Sequence, residues 1–557
     1  MKTCKNCSAE FGITDEDLKF YDKISPIFGG KKYEIPPPTL CPDCRMQRRM
    51  TFRNERHLYY RTCDLSGKSI ISYHHTNKGF PVYDHHEWWM DKWDGLEYGM
   101  DFDFSRTFFE QFLELQRMVP RISMTISHCE NCDYAPYSVY SKNCYMCVSC
   151  VESEDIFFSY QTHYSRDSID CSLVNNCELC YECIHSQNLF QCQFCGDCTN
   201  SRFLFFCKDC RGCSNCIGCK NLVNQKYCIF NKQVSEEEFS QTKSELEGYR
   251  NGRLMFEKAY TFFLTQPERS SHLINCESSF GDYLVGCQNS FACFDANGLE
   301  DCSYAYLVPG HSKDCQDINY TTKAELVYNS MSPVNNYHTK FALHSWDMQY
   351  SAYTDECFYS EYLFGCIDLK RKKYCILNKQ YSKEEYKKLL PKIIEYMQKT
   401  GEWGEFFPVE ISPFAYNETI AQEYFPMSKE EVLKKGWKWK DEEKFDDSGI
   451  TKKIPAQKLP NSITDIPDDI LNWAIICEES GKLFKIQKAE LEFYRKMNLP
   501  IPHYHPDVRH AHRMALRNPR KLWTRNCAKC QKEIQTTYAP ERPEIVYCEE
   551  CYLKEVY

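Results

Sequence analysis

The sequence predicts a mainly β protein with helices: two tandem Cys-rich β-solenoid-like repeat domains flanked by duplicated treble-clef or zinc-ribbon-like modules. Three observations predict it. Triplets of the form C-x-x-C-x-x-C start at Cys177, Cys192 and Cys207, 15 residues apart, and a fixed period of this kind marks a stacked repeat. Residues 218–239 return at 365–386 with 13 of 22 positions identical. Residues 505–518 repeat 41–54 at seven of 14 positions.

The totals frame these elements. A chain of 557 residues is too long for one core. Its 42% hydrophobic content is that of a folded protein, and its net charge of -10 excludes a uniformly basic, nucleic-acid-coated surface. The start, MKTCKNCSAEF, has no export signal, and no apolar run approaches membrane-spanning length. The expectation is therefore a cytoplasmic protein without membrane contact. In that compartment the 36 cysteines stay reduced or bind metal, with a disulfide framework the runner-up.

Residues 1–97 read as an N-terminal module. Cys4-x2-Cys7 and Cys41-x2-Cys44 supply four thiolates, which suits tetrahedral, structural zinc. The 33 residues between them hold a helix starting at Thr14, with Asp17 as its capping-box partner, and a Pro36-Pro37-Pro38 turn. The second knuckle opens a helix, so that the last two ligands sit on it as in a treble clef. A second site is eroded: Cys63 remains, but Ser66, Asp84 and Glu87 stand at the other ligand places. Residues His74, His75, His85 and His86 offer an alternative set around Cys63, against a metal-free remnant packed by Trp88, Trp89 and Trp93.

Residues 98–124 form an amphipathic helix capped near Ser105 and ended by Pro120, expected to cover one end of the following domain. That domain, 125–234, alternates short aromatic or β-branched pieces with turn residues, so a coil of 15 residues is three short strands. Its cysteines read as inward-facing packing residues, with a metal or cluster site as the competing interpretation. A helical connector, 235–274, opens on Ser235 with Glu238. The second repeat domain, 275–381, lies 147 residues after the first and keeps only eight cysteines. Residues 382–445 continue with a helix boxed by Ser382 and Glu385, an aromatic irregular segment and a helix from Ser428. The clearest linker is 446–462.

Residues 446–557 repeat the N-terminal module with the opposite erosion. Cys477 survives from the first site, while Cys7, Cys41 and Cys44 become Ser480, His505 and Val508. The second site is intact as Cys527, Cys530, Cys548 and Cys551, with a 17-residue gap. Two zinc ions per chain are expected. Both modules carry arginine-rich helices, Arg45, Arg48, Arg49 and Arg53 in one and Arg509, Arg513 and Arg517 in the other, which could lie on a phosphate backbone or on acidic neighbours. No Gly-rich phosphate loop, nucleophile elbow or H-E-x-x-H is present.

The stretches PTLCPDCRMQRRMTFRNERHLYYRTCD, YGMDFDFSRTFFEQF, NCELCYEC, YCIFNKQ and RPEIVYCEECYLKEVY resemble a family of multi-zinc-finger, Cys-rich repeat proteins frequent in Candidate Phyla Radiation bacteria. The resemblance covers almost the whole chain. It implies cysteines at both sites of each module, a pattern from which Ser66, Asp84 and Glu87 depart. Some relatives are grouped with CaiB/BaiF-type CoA-transferases, and no motif here supports that chemistry. The expected function is a zinc-binding scaffold or binding protein, with nucleic acid as its best partner class. The alternative is an enzyme or redox or metal-handling protein that uses the repeat cysteines.

Overall fold

A computed structural model describes residues 1–320, 324–332, 334–442 and 447–556. The chain divides into two units, each assembled from distant segments. Unit 1 comprises Met1–Met124, Ser271–Asp441 and Arg520–Leu522; unit 2 comprises Thr125–Ser270, Glu442–Pro519 and Trp523–Tyr557. The N-terminal module therefore shares a unit with the second repeat domain, and the C-terminal module with the first.

Each repeat domain is a parallel ladder. In unit 2 the rungs pair Tyr160 with Ser172, Gln187 with Thr199 and Ser214 with Lys226, always 12 residues apart. In unit 1 Lys313 pairs with Glu325, Lys340 with Ala352 and Glu361 with Lys373, with the same step. An antiparallel strand closes each ladder, Lys232–Gln233 and Lys379–Gln380. The 15-residue coil expected from the triplets is corrected to 12. The underlying unit is three residues, and both 12 and 15 are multiples of it.

That three-residue unit is visible in the backbone. Asp155, Phe158, Gln161, Tyr164, Asp167, Asp170, Leu173 and Asn176 all have φ between 46° and 57°. Left-handed backbone is costly for such side chains and persists only where surrounding bonds over-determine it. Here the N–H of each strained residue reaches back 13 positions: Phe158 donates to the Tyr145 carbonyl at 3.0 Å and Tyr164 to that of Val151 at 2.9 Å.

The residue after each strained one points inward. Cys177, Cys180, Cys183, Leu189, Cys192, Cys195 and Cys198 are all buried in one cluster. Their thiols donate to carbonyls two residues back, Cys177 to Asn175 at 3.5 Å and Cys198 to Gly196 at 3.2 Å. Serines do the same, Ser186 to Ile184 and Ser201 to Thr199, both at 2.8 Å. Their oxygens also accept from the next rung, from Cys198 N–H at 3.2 Å and Cys213 N–H at 3.0 Å. Cysteine is thus a small apolar filler with a weak donor, interchangeable with serine. The unit 1 ladder uses Ser351, Ser360, Leu363 and Cys366 in the same way.

The capping signals hold. Thr14 and Asp17 box the helix Asp15–Ile24, Ser382 and Glu385 the helix Lys383–Thr400, and Ser428 and Glu431 the helix Lys429–Lys434. Two expectations change. The helix Phe108–Met118, capped by Thr107 rather than Ser105, packs Phe108 against Tyr353 and Phe364, at 5.0 and 5.4 Å. It covers the second ladder, not the first, because its apolar face matches aromatic rungs that only the second ladder has. Most of the supposed linker is structured: Lys453–Pro455 pairs in parallel with Ala474–Ile476, and Ala456, Leu459 and Ile463 enter the core. Its apolar residues are spaced too widely to signal an element. Asp446 lies outside the described residues.

Burial also sets a pH dependence in unit 1. His74 and His344 are buried and held neutral, with pKa values pushed well below the usual range first by burial and then by neighbouring cations, Arg121 among them. The unfolded chain takes up these protons near pH 6.5 and the folded chain does not, so stability falls as pH drops below about 6.5. A His74→Leu variant is expected to show a shallower loss between pH 6.5 and 5 in urea titrations. An unchanged slope would show that His74 contributes nothing to it.

Candidate metal centre

Four knuckle turns share one geometry. In each, the first cysteine donates its N–H to the carbonyl five residues on: Cys4 to Ala9, Cys63 to Lys68, Cys477 to Lys482 and Cys527 to Lys532, at 2.8–2.9 Å. The residue four after that cysteine is left-handed, namely Ser8, Gly67, Gly481 and Gln531, with φ from 62° to 75°. The turn survives whether or not its ligand set does.

At the N-terminal site, Cys4 and Cys7 lie on the turn between the strands Lys2–Thr3 and Glu10–Phe11. Cys41 is the N-cap of the helix Pro42–Met50, and Pro42 at its first position fixes the entry. Cys44 follows one turn later. Asn6 Nδ2 donates to Cys44 Sγ at 3.2 Å. At the C-terminal site, Cys527 and Cys530 lie between the strands Trp523–Asn526 and Glu533–Thr536, and Cys548 and Cys551 start the helix Glu549–Val556. Cys548 N–H donates to Cys527 Sγ at 3.2 Å.

Both groups are four-sulfur clusters that could hold a metal ion. Within each, all four sulfurs lie within 4.8 Å of one another. The contacts Cys7–Cys41 and Cys530–Cys548 are both 3.7 Å. Tetrahedral sulfurs around zinc, with bonds of about 2.3 Å, stand about 3.8 Å apart, so the residues present fit the ion. Four thiols this close cannot all ionise without a cation. The Cys44 thiol beside it holds Cys41 down to about 5, while Cys41 pushes Cys44 up. In the C-terminal group, burial and its sulfur neighbours, Cys548 first, push Cys551 up to about 12.

The eroded sites have found other partners. Cys63 donates to Glu87 at 3.2 Å and accepts from Asp84 N–H at 3.2 Å, and Lys68 reaches Glu87 at 3.2 Å. Donors from Ser66, Cys63 and Lys68 hold Glu87 down to about 2. One carboxylate with several donors replaces a cation with four thiolates. At Cys477, burial opposes ionisation, but hydrogen bonds from Ser480 and His505 outweigh it and lower the pKa. Among the described residues no histidine joins Cys63 in a metal-capable group of three. His74 instead stacks on Phe414 at 5.2 Å, and His85 lies on His86 at 4.0 Å.

The arginines turn inward. Arg45 Nε meets Asp317 at 2.7 Å, and Arg49 Nη1 meets its other oxygen at 3.4 Å. Arg53 pairs with Glu55 and donates to Ser332 at 2.6 Å. In unit 2, Arg509 and Arg513 meet the two oxygens of Asp170 at 2.5 and 2.8 Å. These five side chains are at most 3% exposed. Arg48 is tied to Glu405 at 3.1 Å, and Arg517 is only partly exposed. The expected phosphate-facing row is therefore corrected: five of its seven members are ladder anchors, because buried aspartates supply the counter-charge.

Sequence reasoning missed those aspartates, yet a signal existed. Arg509 and Arg513 stand 464 residues after Arg45 and Arg49, and Asp317 stands 147 after Asp170, the same offsets that relate the repeats. Ring contacts obey them too: Tyr21 meets Tyr328 at 5.3 Å, and Tyr494 meets Tyr181 at 5.9 Å. One clasp is used twice. No protein-family model matches the chain, and no curated protein sequence matches it.

Proposed function

We propose that the protein is a zinc-stapled scaffold, in which two treble-clef-like finger modules each secure one of two β-solenoids. The carrying observation is the closure of each four-sulfur group by protein ligands alone, which leaves no open position for substrate and marks structural rather than catalytic metal. The constant 12-residue step of both ladders supports the solenoids, and the repeated arginine clasp supports the role of the fingers as anchors. Nucleic-acid binding draws no support from the arginine helices, whose charge is spent inside. Among the described residues no helix is long and apolar enough to cross a membrane.

Metal analysis of the purified chain tests the reading. Two zinc per chain and no iron are expected. Four or more metals per chain, or the colour of a cluster, would place metal in the ladder cysteines and favour the redox or metal-handling alternative.

A further inference from the structure

The helix Pro506–Ala515 carries a side-chain stripe that its unit leaves open. Val508, Ala511, His512, Ala515 and Leu516 recur at three- and four-residue steps and so share one face. The opposite face, Arg509, His510 and Arg513, is buried. A lone exposed leucine means nothing by itself. Its counterpart in the same chain gives it meaning.

The corresponding stripe in unit 1, 464 residues earlier, is Cys44, Gln47, Arg48, Thr51 and Phe52. Residues 401–425 cover it. Gln47 donates to the Tyr416 hydroxyl at 2.7 Å, Arg48 pairs with Glu405 at 3.1 Å, and Ser412 donates to the Thr51 carbonyl at 2.6 Å. Phe406 and Phe407 pack on Phe52 at 5.8 and 5.9 Å. Phe52 is 2% exposed, whereas Leu516 is 51% exposed. After the unit 2 ladder the chain runs through the helices Glu236–Glu245 and Tyr249–Phe263 and then pairs Pro267–Arg269 with Ile545–Tyr547. It never makes an equivalent of 401–425.

We propose that this face docks an extended aromatic segment of a partner protein, resembling Glu405-Phe406-Phe407, with its carboxylate directed to His512. The chemistry follows from the covered copy: small residues at 511 and 515 admit flat rings, Leu516 replaces Phe52 as the apolar floor, and His512 replaces Arg48 as the cation. His512 meets Glu479 at 2.8 Å on the surface, an exposed pair that an incoming carboxylate can exchange with. The inference rests on the scaffold reading, since it names what the scaffold holds.

The test uses a fluorescently labelled peptide of residues 401–425, titrated by anisotropy into the full-length, metal-loaded chain. Saturable binding is expected, weakened at least tenfold by Leu516→Asp. Zinc content and circular dichroism of the variant should stay unchanged, so that failure of the scaffold reading would show separately as altered metal stoichiometry. Three results would overturn the proposal: no binding at hundreds of micromolar, equal binding of a scrambled peptide, or binding indifferent to Leu516→Asp. Gln47→Ala guards against exchange in unit 1; if that variant strengthens binding while Leu516→Asp does not weaken it, the peptide is entering the wrong copy and the proposal fails.

Discussion

Cys530→Ala is expected to lower the zinc content from two per chain to one and to unfold the C-terminal module. The thiol it removes is exposed, so packing cannot account for the effect. What is lost is the fourth ligand. A structural zinc contributes roughly 10–16 kcal/mol of apparent folding free energy in a small finger, more than the net stability of about 5–15 kcal/mol typical of a domain. Limited proteolysis should release fragments of residues 523–557 from the variant and not from the parent. Cys195→Ala is the control. That thiol is buried and donates to Gln193 and Leu204 carbonyls at 3.4 and 3.5 Å, yet its loss should cost only about 1 kcal/mol. If both variants unfold alike, or if Cys530→Ala keeps two zinc, the division between metal cysteines and packing cysteines is wrong.

Asp317→Ala is expected to destabilise unit 1 by about 3–5 kcal/mol, the cost of leaving buried charge unpaired. Arg45 and Arg49 share this one carboxylate and are almost fully buried. Nothing else described on the ladder offers either of them a negative charge: the other partners are the Leu40 carbonyl and the amides of Asn319 and Asn329. The same change at Asp170 should act on unit 2 through Arg509 and Arg513, although there Glu182 at 3.2 Å and Glu490 at 3.6 Å give partial relief. Urea denaturation would therefore rank Asp317→Ala above Asp170→Ala. Combining Asp317→Leu with Arg45→Met and Arg49→Leu should recover most of the loss, since an apolar trio of similar volume requires no counter-charge. No recovery would mean that the clasp positions the helix by shape and not by charge.

The parts legible in the sequence were those written in short-range spacing. Thr14 with Asp17 and Ser428 with Glu431 declare helix starts within four residues, and C-x-x-C declares a knuckle turn within six. The rule for the ladder interior was misread because cysteine marks some inward positions and not others. Ser186, Leu189, Ser201 and Leu204 occupy the rest, so the triplets return every 15 residues while the backbone returns every 12. The arginine helices were legible as charged but not as buried. Asp317 and Asp170 lie hundreds of residues away, and a buried counter-ion leaves no local trace. Only the two repeat offsets taken together would have pointed to them.

The crossed pairing of fingers and ladders has a consequence for the chain as it is made. Asp317 follows Arg45 by 272 residues. At ribosomal rates of about 5–20 residues per second, the first finger waits on the order of a quarter of a minute to a minute for the surface that neutralises its arginines. Metal capture is the one stabilising event open to it in that interval. The other half meets the reverse problem. Asp170 leaves the ribosome long before Arg509 and Arg513, so the first ladder waits for its finger. Supply of zinc during synthesis, and not only after it, should therefore decide how much of the protein reaches its native pairing.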